Sequence, residues 1–420
     1  ARWIALAGTT AALLGAGTLA NSYYNAITLA EGAAGAAERA AEAPINPPVS
    51  YSRPWIALGD SAISGISQSL HLDMIIGLDG ISVSLIALTA LLSFSSVLIS
   101  WNSIRHREAE FYVALLLLEA GLFGVFCAFD LILFYVFFEF TLVPLFFLIL
   151  MWGGPQRRLA SVKFFLYTLA GSLVTLLGVV MLATVAARAG LEAPTSLPDL
   201  SAWLRDRGAM SPALQTTLFL MLAAGFLIKV PVFPFHTWLP LAHVEAPTAG
   251  SVLLAGVLLK LGTYGFLRIC LPLLPAACEN VGVPLIAILS VVGIVYGSMC
   301  ALVQRDIKRL VAYSSVAHMG FCMLGLFALN AEGISGGVLQ MINHGLSTGA
   351  LFLLVGMIYD RYHTRMLDDL GGLAARLPYL ACLLVFISMA SIGLPGLNGF
   401  VGEMLSLAGM FKRHPLYAGL

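Results

Sequence analysis

Eleven long apolar stretches follow one another along the chain, separated mostly by short polar connections. Most are close to the roughly 20 residues that an α-helix needs to cross a bilayer. Backbone groups in lipid must bond within their own segment, and the short alternating segments of a membrane barrel are absent, so helices are predicted. The predicted spans are 3–19, 80–100, 111–129, 131–152, 161–186, 214–230, 248–270, 281–303, 309–328, 336–359 and 379–411.

Two of these spans are interrupted. The sixth runs into Pro231 and Pro234, and the last is broken at residues 393–396. Because Pro231 has no N–H, the carbonyl of Leu227 is expected to lose its helical partner. Interrupted helices in different halves of a chain, each with an ionisable group, are typical of inverted-repeat transporters.

The composition agrees with a chain that lies largely in lipid. Of its 420 residues, 59% are apolar, only 10% are charged, and the formal net charge is zero. An ordinary soluble domain carries about 25% charged residues. The sequence therefore predicts an all-α polytopic membrane protein with about eleven transmembrane helices and with lipids around it. A soluble enzyme, a nucleic-acid-binding protein and a disordered protein are disfavoured.

The distribution of basic residues predicts the orientation. With eleven spans, the side of the N-terminal end carries twelve Lys and Arg residues and the opposite side eight. Five of the eight lie in the two longer polar segments, 20–79 and 187–213, where charges count less in the positive-inside rule. The N-terminal end is therefore expected to be cytoplasmic, and 20–79 is expected to be a polar loop.

The residues that stand out are ionisable groups inside apolar runs. They are Glu119, Glu139, Lys229, Lys260, Glu403, His318 and His344, with His236 beside the first break. A charge near the bilayer centre costs about 2.5–3.5 kcal/mol on insertion scales. Each has a structural alternative: a carboxylate or histidine can be a hydrogen-bonded core group, and Lys229 can extend to the headgroups. Together they indicate a proton relay, since chains of Glu, His and Lys inside a bundle are typical of pumps.

No cofactor or metal site is predicted on this chain. The six cysteines include no Cys-x-x-Cys pair, and neither a dinucleotide-binding glycine motif nor a phosphate-binding loop is present. Any redox chemistry connected with this protein would then take place on another chain.

Three longer blocks resemble a known family. They are KVPVFPFHTWLPLAHVEAPTAGSVLLAGVLLKLGTYGFLR (229–268), QRDIKRLVAYSSVAHMGF (304–321) and INHGLSTGALFLLVGMIYDRYHTR (342–365). They resemble the antiporter-like membrane subunits of proton-translocating NADH–quinone oxidoreductase, complex I. Two further blocks, FFEFTLVPLFFLILMWGG (137–154) and GLPGLNGFVGE (393–403), are typical of one subunit type within that family.

The resemblance implies a fold of about fourteen helices with two inverted five-helix repeats and a discontinuous helix in each. By position, Glu139 and Lys229 would form a coupled acid–lysine pair, and Lys260 would be the central relay. His318 and His344 would continue the polar axis to Glu403 at the exit, where related subunits tend to carry lysine. The roles of two further candidates, Glu119 and His236, stay open. The family's first helix and last two helices are expected to be missing from this chain.

The resemblance also implies a division of the chain and a set of partners. Residues 1–110 would hold N-terminal helices and the polar loop, 111–270 the first antiporter-like half, and 281–420 the second half, incomplete at its C-terminal end. Flavin, iron–sulfur clusters and quinone would belong to other subunits. The partners would be other membrane-arm subunits, especially neighbouring antiporter-like chains, and the location a bacterial inner membrane.

Three other classes of function remain open from the sequence. One is a subunit of a multi-chain cation/proton antiporter, against which the acid at position 403 argues. The second is the membrane subunit of a hydrogenase or ferredoxin-driven complex. The third is a structural membrane scaffold, in which the buried charges would move no protons.

Overall fold

The computed structural model describes residues 1–31, 47, 49–58, 70–206 and 210–420. Helices dominate the described residues, and in chain order they are α1 (Arg2–Glu31), α2 (Gly80–Ser103), α3 (Glu108–Cys127), α4 (Leu131–Trp152), α5 (Arg157–Arg188), α6 (Leu197–Asp206), α7 (Pro212–Lys229), α8 (Leu239–Glu245), α9 (Thr248–Leu273), α10 (Pro275–Leu302), α11 (Ile307–Leu326), α12 (Ala331–Tyr362), α13 (Leu373–Arg376), α14 (Pro378–Ile392), α15 (Asn398–Arg413) and α16 (Pro415–Gly419).

Nine helices within the described ranges are long and apolar enough to cross a membrane. They cover the first eight predicted spans and the tenth, so the prediction of a helical, multi-pass membrane protein is confirmed. The ninth predicted span also forms a helix, α11, but Lys308, Arg309 and His318 lower its apolar character. The eleventh is divided between α14 and α15. The total of eleven crossings stays a prediction.

The prediction of a polar loop over 20–79 is wrong for the part that the structure describes. Helix α1 continues to Glu31, and strands β1 (Val49–Leu58) and β2 (Leu70–Leu78) form an antiparallel hairpin. The N–H of Phe129 donates to the carbonyl of Ile75 at 2.9 Å and so fixes the hairpin to the end of α3. Residues 32–46 and 59–69 of the predicted loop lie outside the described residues.

Helix α9 is at the centre of the bundle, and 94% of its most apolar stretch of 18 residues is buried. Glycines allow α2 and α12 to approach it closely: a Cβ at Gly256 of α9 would overlap Leu92 of α2, and one at Gly345 of α12 would overlap the carbonyl oxygen of Gly256. Two π-helical turns, Leu254–Leu258 and Phe266–Cys270, lie on either side of Lys260. The helix is therefore irregular where it carries its buried charge, which is common at functional sites.

Both predicted helix interruptions are present. Helix α7 ends at Lys229, and α8 begins after the turn 230–238. The carbonyl of Leu227 has no helical partner at Pro231, as expected, but it is not free, because it accepts from the N–H of Val232 at 3.1 Å. The second interruption separates α14 from α15, where Gly393 and Gly396 adopt φ of +82° and +94°. Glycine is the residue that adopts these angles without strain.

Helices α12 and α15 cross at small residues. A Cβ at Gly409 of α15 would overlap the backbone of Gly333 on α12. We expect Gly409→Ala to force the two helices apart and to lower the free energy of unfolding by about 1–3 kcal/mol. The measurement is the thermal unfolding midpoint of the protein extracted in mild detergent.

Gly293→Ala is the matched control for this change. Gly293 is also buried within a membrane helix, but no atom lies within 4 Å of the position its Cβ would take. Equal unfolding midpoints for the two variants would contradict the close contact between α12 and α15.

Candidate functional site

The centre of the polar axis is Lys260, which is fully buried in α9. Its Nζ donates to the carbonyl of Ala255 at 2.5 Å and lies 2.7 Å from Nδ1 of His344. A protonated lysine can only donate, so Nδ1 accepts and the proton of the neutral imidazole is on Nε2. Lys260 and His344 are thus in direct contact inside the bundle, without an intervening water.

The axis continues from His344 to Glu403. The rings of His344 and His318 have centroids 5.7 Å apart. Nδ1 of His318 lies 2.8 Å from Oε1 of Glu403, and its Nε2 lies 3.3 Å from the hydroxyl of Ser391. Gln340 also donates to Oε1 of Glu403, at 2.9 Å. The structure therefore brings together four of the predicted residues, from Lys260 to Glu403.

Exposure increases along this axis. Lys260 is 0% and His344 1% exposed, whereas the side chains of His318 and Glu403 are each 14% exposed. Glu403 is on α15, directly after the second helix interruption. A Cβ at Gly393 would contact Oε2 of Glu403 at 2.9 Å, so the glycine leaves room for the carboxylate. The break brings a charged group to the partly exposed end of the axis.

Glu139 and Lys229, which the resemblance implies are a coupled pair, are not in direct contact, since no oxygen of Glu139 lies within 4.0 Å of the Lys229 Nζ. The ammonium of Lys229 is buried without a hydrogen-bond partner and lies 4.6 Å from the centroid of the Phe138 ring. Oε1 of Glu139 is also buried and unpartnered. The two charges still act on each other electrostatically across the gap. A buried donor and a buried acceptor that both lack a partner are groups that ordered water can satisfy.

No hydrogen bond joins Lys229 to Lys260 in the part of the chain that the structure describes. The predicted residues therefore fall into two groups. Glu139 lies on α4, and Lys229 lies at the end of α7. Lys260, on α9, is the first residue of the second group, which continues through His344 and His318 to Glu403.

The other two predicted residues lie apart from the row between Lys260 and Glu403. His236 is in the turn between α7 and α8, where its ring stacks on Phe233 and contacts Tyr296. Its Nδ1 is buried without a partner. Glu119 is buried in α3, and the hydroxyl of Ser93 on α2 acts on its carboxyl group.

Two buried residues near the axis were missed from the sequence. His243 of α8 is fully buried, stacks on Phe352 at 4.6 Å, and has no hydrogen-bond partner at either ring nitrogen. Lys308, which directly precedes the ninth predicted span, is only 8% exposed, and its Nζ donates to the carbonyl of Ala246 at 2.5 Å. Lys308 and His318 lie on one face of α11, at a spacing of ten residues, which was the available signal.

Lys308 also borders a cavity of about 270 Å³. Glu245, Asp360 and Arg365 line the same cavity. The carboxylate of Glu245 accepts from the N–H of Gln156 at 2.8 Å, and Asp306 lies 3.4 Å from the guanidinium of Arg365. The helix ends around α8 thus form a polar region on the side that carries Arg157 and Arg365.

The described ranges contain no group of three or more His, Cys, Asp and Glu side chains that could hold a metal ion. The ionisable residues of the axis contact each other and backbone carbonyls instead. This arrangement can pass protons along the Lys260–His344 and His318–Glu403 hydrogen bonds, whereas the step between the two rings has no direct hydrogen bond, because Nε2 of His344 is buried without a partner.

A bundle of membrane-spanning helices with two interrupted helices and a buried Lys–His–His–Glu chain defines an antiporter-like membrane protein. The family profile described as "NADH:quinone oxidoreductase/Mrp antiporter, TM" matches residues 128–419. The chain belongs to this family.

Two relatives agree with the subunit type indicated by residues 137–154 and 393–403, namely chain M of the bacterial complex or mitochondrial subunit 4. The chain is 46% identical over 378 residues to NADH-quinone oxidoreductase subunit M of Rhodobacter capsulatus, covering 88% of this chain and 70% of the relative. It is 44% identical over 351 residues to NADH-ubiquinone oxidoreductase chain 4 of Marchantia polymorpha, covering 83% and 68%.

Two solved structures share the fold. A chain of respiratory complex I from Thermus thermophilus with bound NADH has a TM-score of 0.79 and 32% identity, covering 100% of this chain and 83% of that one. A chain of the Mrp complex from Dietzia sp. DQ12-45-1b has a TM-score of 0.73 and 22% identity, covering 99% and 76%. The second similarity shows the fold alone.

The different surroundings of the two buried lysines predict different effects on stability. Lys229→Met removes a buried ammonium without a partner and is expected to raise the free energy of unfolding by about 1 kcal/mol or more. Lys260→Met leaves the Ala255 carbonyl and Nδ1 of His344 without their donor. We therefore expect this variant to raise the free energy of unfolding by less than Lys229→Met does, or to lower it. The measurement is the thermal unfolding midpoint of the assembly in detergent.

Lys412→Met is the control for the stability comparison, because Lys412 forms an exposed ion pair with Glu332. Such a pair contributes about 0–1 kcal/mol, so little change is expected. A loss of stability in Lys229→Met as large as that in Lys260→Met would show that Lys229 has a partner in the assembled protein.

Proposed function

We propose that this chain is a proton-translocating membrane-arm subunit of NADH–quinone oxidoreductase, and that it moves protons without a redox step of its own. The observation that carries the proposal is the buried row from Lys260 to Glu403, in which two hydrogen bonds, Lys260–His344 and His318–Glu403, are separated by one step between imidazole rings whose centroids are 5.7 Å apart. The family and the relatives named as subunits of this oxidoreductase support the complex to which we assign it.

The redox groups belong, in this proposal, to other subunits of the same complex. Flavin and iron–sulfur clusters there would pass electrons from NADH to quinone. Neighbouring antiporter-like chains of the membrane arm would be the direct partners, and lipids would surround the remaining surface. Many apolar side chains of the long helices are exposed, among them Leu166, Leu177 and Val180 of α5, which fits contact with lipid or with a neighbouring chain.

The proposed proton path has two steps without a direct hydrogen bond, one between Lys229 and Lys260 and one between His344 and His318, where water or a ring movement would carry the proton. A charge change in a neighbouring subunit would weaken the attraction between Glu139 and Lys229, and Lys229 would release its proton through water toward Lys260. Lys260 would then donate to Nδ1 of His344. The relay would continue through His318 to Glu403, which would release a proton to the far side.

The energy required is modest. Moving one elementary charge against 100 mV takes about 2.3 kcal/mol. Two unit charges about 4 Å apart interact by about 4 kcal/mol at an effective dielectric constant near 20. A change of one charge beside Glu139 or Lys229 is therefore large enough to drive the transfer.

We place the protein in a bacterial inner membrane with its N-terminal end in the cytoplasm, on the distribution of basic residues. We also keep the division into a first half at 111–270 and a second half at 281–420. Each half contains one of the interrupted helices.

A multi-chain cation/proton antiporter is the main alternative, because the Mrp complex has the same fold. A membrane-bound reductase is another, since the membrane-bound sulfane sulfur reductase, an archaeal respiratory complex, contains a chain with a TM-score of 0.75 and 22% identity. Glu403 favours the oxidoreductase, because its acid bonds to His318 where related antiporter subunits tend to carry lysine. Sodium-dependent transport without NADH would favour the antiporter.

The position of His344 between Lys260 and His318 predicts the effect of removing its imidazole. His344→Leu disconnects Lys260 from His318, and we expect NADH-driven proton pumping to fall about tenfold or more. The measurement is the quenching of a pH-sensitive dye by vesicles that contain the intact complex.

His363→Asn is the matched control, since His363 is exposed at the end of the same helix. It should pump at the wild-type rate. Wild-type pumping in His344→Leu, with NADH oxidation intact, would exclude His344 from the path.

The exit residue can be tested with a change that keeps its shape. Glu403→Gln retains an oxygen that can accept from Gln340 but removes the negative charge opposite His318. We expect NADH oxidation and pumping to fall together by about tenfold or more, because the relay cannot release its last proton. Both rates are measured on the same membranes.

Glu332→Gln provides the comparison, because this exposed glutamate is paired with Lys412 and lies outside the axis. A Glu403→Gln variant whose pumping matches that of Glu332→Gln would contradict the assignment of Glu403 as the exit.

A further inference from the structure

Helix α2 packs against both α3 and α9, and one of its faces carries hydroxyl groups. Residues 82, 89, 93, 96 and 100 of α2 are all serine or threonine, and all are at most 2% exposed. Thr89 and Ser100 donate to carbonyls of their own helix, those of Leu85 and Ser96. The hydroxyls of Ser93 and Ser96 have no hydrogen-bond partner.

Helix α3 presents two more unpartnered groups. Oε1 of Glu119 and the hydroxyl of Tyr112 are buried without a partner, and the two residues are only 4% and 2% exposed. They are seven residues apart and therefore lie on one face, two helical turns from each other. The hydroxyl of Ser93 lies near the Glu119 carboxyl, although no hydrogen bond joins the two groups. Because α2 and α3 are antiparallel neighbours, Ser96 follows Ser93 in the direction of Tyr112.

These four atoms have no protein group to satisfy them. Most buried polar atoms in proteins bond to protein or to ordered water, and four orphaned atoms on one helix interface call for such a partner. Buried waters are typically held by two to four polar groups. The residues between the two helices meet that condition.

The row of polar groups leads from the membrane surface to Glu119. At its outer end, one turn before Tyr112, Glu108 accepts from Nε of Arg2 at 3.0 Å, and the side chains in this ion pair are about one third exposed. At its inner end, no Lys, Arg or His nitrogen of the described residues lies within 4.0 Å of Glu119. A carboxylate there would be an unpaired buried charge, which is costly unless water or a proton reaches it.

We propose that Tyr112, Ser96, Ser93 and Glu119 hold a file of water molecules between α2 and α3. Through this file, the Glu119 carboxylate exchanges a proton with the side of the membrane that carries the N-terminal end. A hydronium ion in the file gives its proton to the carboxylate, which leaves a carboxylic acid and water, and the reverse step returns it. This site is separate from the chain between Lys260 and Glu403 and does not depend on the proposed function.

The first test is a map of the intact complex at a resolution that shows ordered water. We expect water density between Glu119 and the hydroxyls of Ser93 and Ser96, continuing to Tyr112. A dry, closed interface, with the four groups bonded to protein atoms or lipid, would overturn the proposal.

The second test follows the carboxyl group by infrared spectroscopy of the intact complex in H₂O and D₂O. The band assigned to Glu119 is the carboxyl signal that disappears in Glu119→Gln and persists in Glu110→Gln. Glu110 is the control because it lies on the same helix but is exposed and paired with Arg107. A band that disappears equally in both variants, or in neither, would contradict an exchanging carboxyl at Glu119.

The file itself is tested with two variants at Ser96 that differ by one hydroxyl. Ser96→Val removes the hydroxyl, and Ser96→Thr keeps it while adding the same methyl group. We expect deuterium exchange of the Glu119 band to slow about tenfold or more in Ser96→Val and to stay near the wild-type rate in Ser96→Thr. Equal exchange rates in the two variants would show that Ser96 is not part of the path.

Discussion

The structure depends on how it holds charge where no bulk water is present. Lys260 is fully buried at the centre of the bundle, and its ammonium is held by one backbone carbonyl and one imidazole. The penalty for a charge at membrane depth is offset when it bonds to other polar groups. Each partner of Lys260 must therefore be placed by a helix that packs closely on α9, which explains the glycines at 256 and 345.

The helix irregularities serve the same constraint. A regular helix uses all its backbone groups internally, so it offers nothing to a buried side chain. The π turns around Lys260 and the break before Glu403 change this locally. Lys260 bonds to a carbonyl within the first π turn, and Gly393 leaves the space that the Glu403 carboxylate occupies. The interruptions thus position charges at depth without exposing a strand or loop to lipid.

Much of this arrangement could be predicted from the sequence, because a charged residue inside an apolar run is easy to identify. Glu139, Lys260 and Glu403 were found in this way, and both helix breaks followed from Pro231 and the glycines near 395. Lys308 was missed because it is close to a span end, where a solvated lysine is expected. The hairpin was missed because its strands lie within a segment that contains prolines and polar residues.

What the sequence could not supply is the distance between groups. Resemblance paired Glu139 with Lys229, yet their charged atoms are more than 4.0 Å apart, and both lack a hydrogen-bond partner. Side-chain direction depends on how α4 and α7 pack, and no single position encodes it. The pairing of Lys260 with His344, 84 residues later, is equally a result of packing.

The contrast between these two contacts indicates where control of the relay lies. A direct hydrogen bond such as that between Lys260 and His344 transfers a proton whenever the relative affinities of its two ends change. A gap such as that between Glu139 and Lys229 transfers nothing until water fills it or a side chain moves. A neighbouring subunit that shifts charge therefore has its largest effect at the gap, where hydration responds to the local field. The same reasoning applies to the step between His344 and His318, where Nε2 of His344 has no hydrogen-bond partner, so each half of the chain would contain one point at which hydration controls transfer.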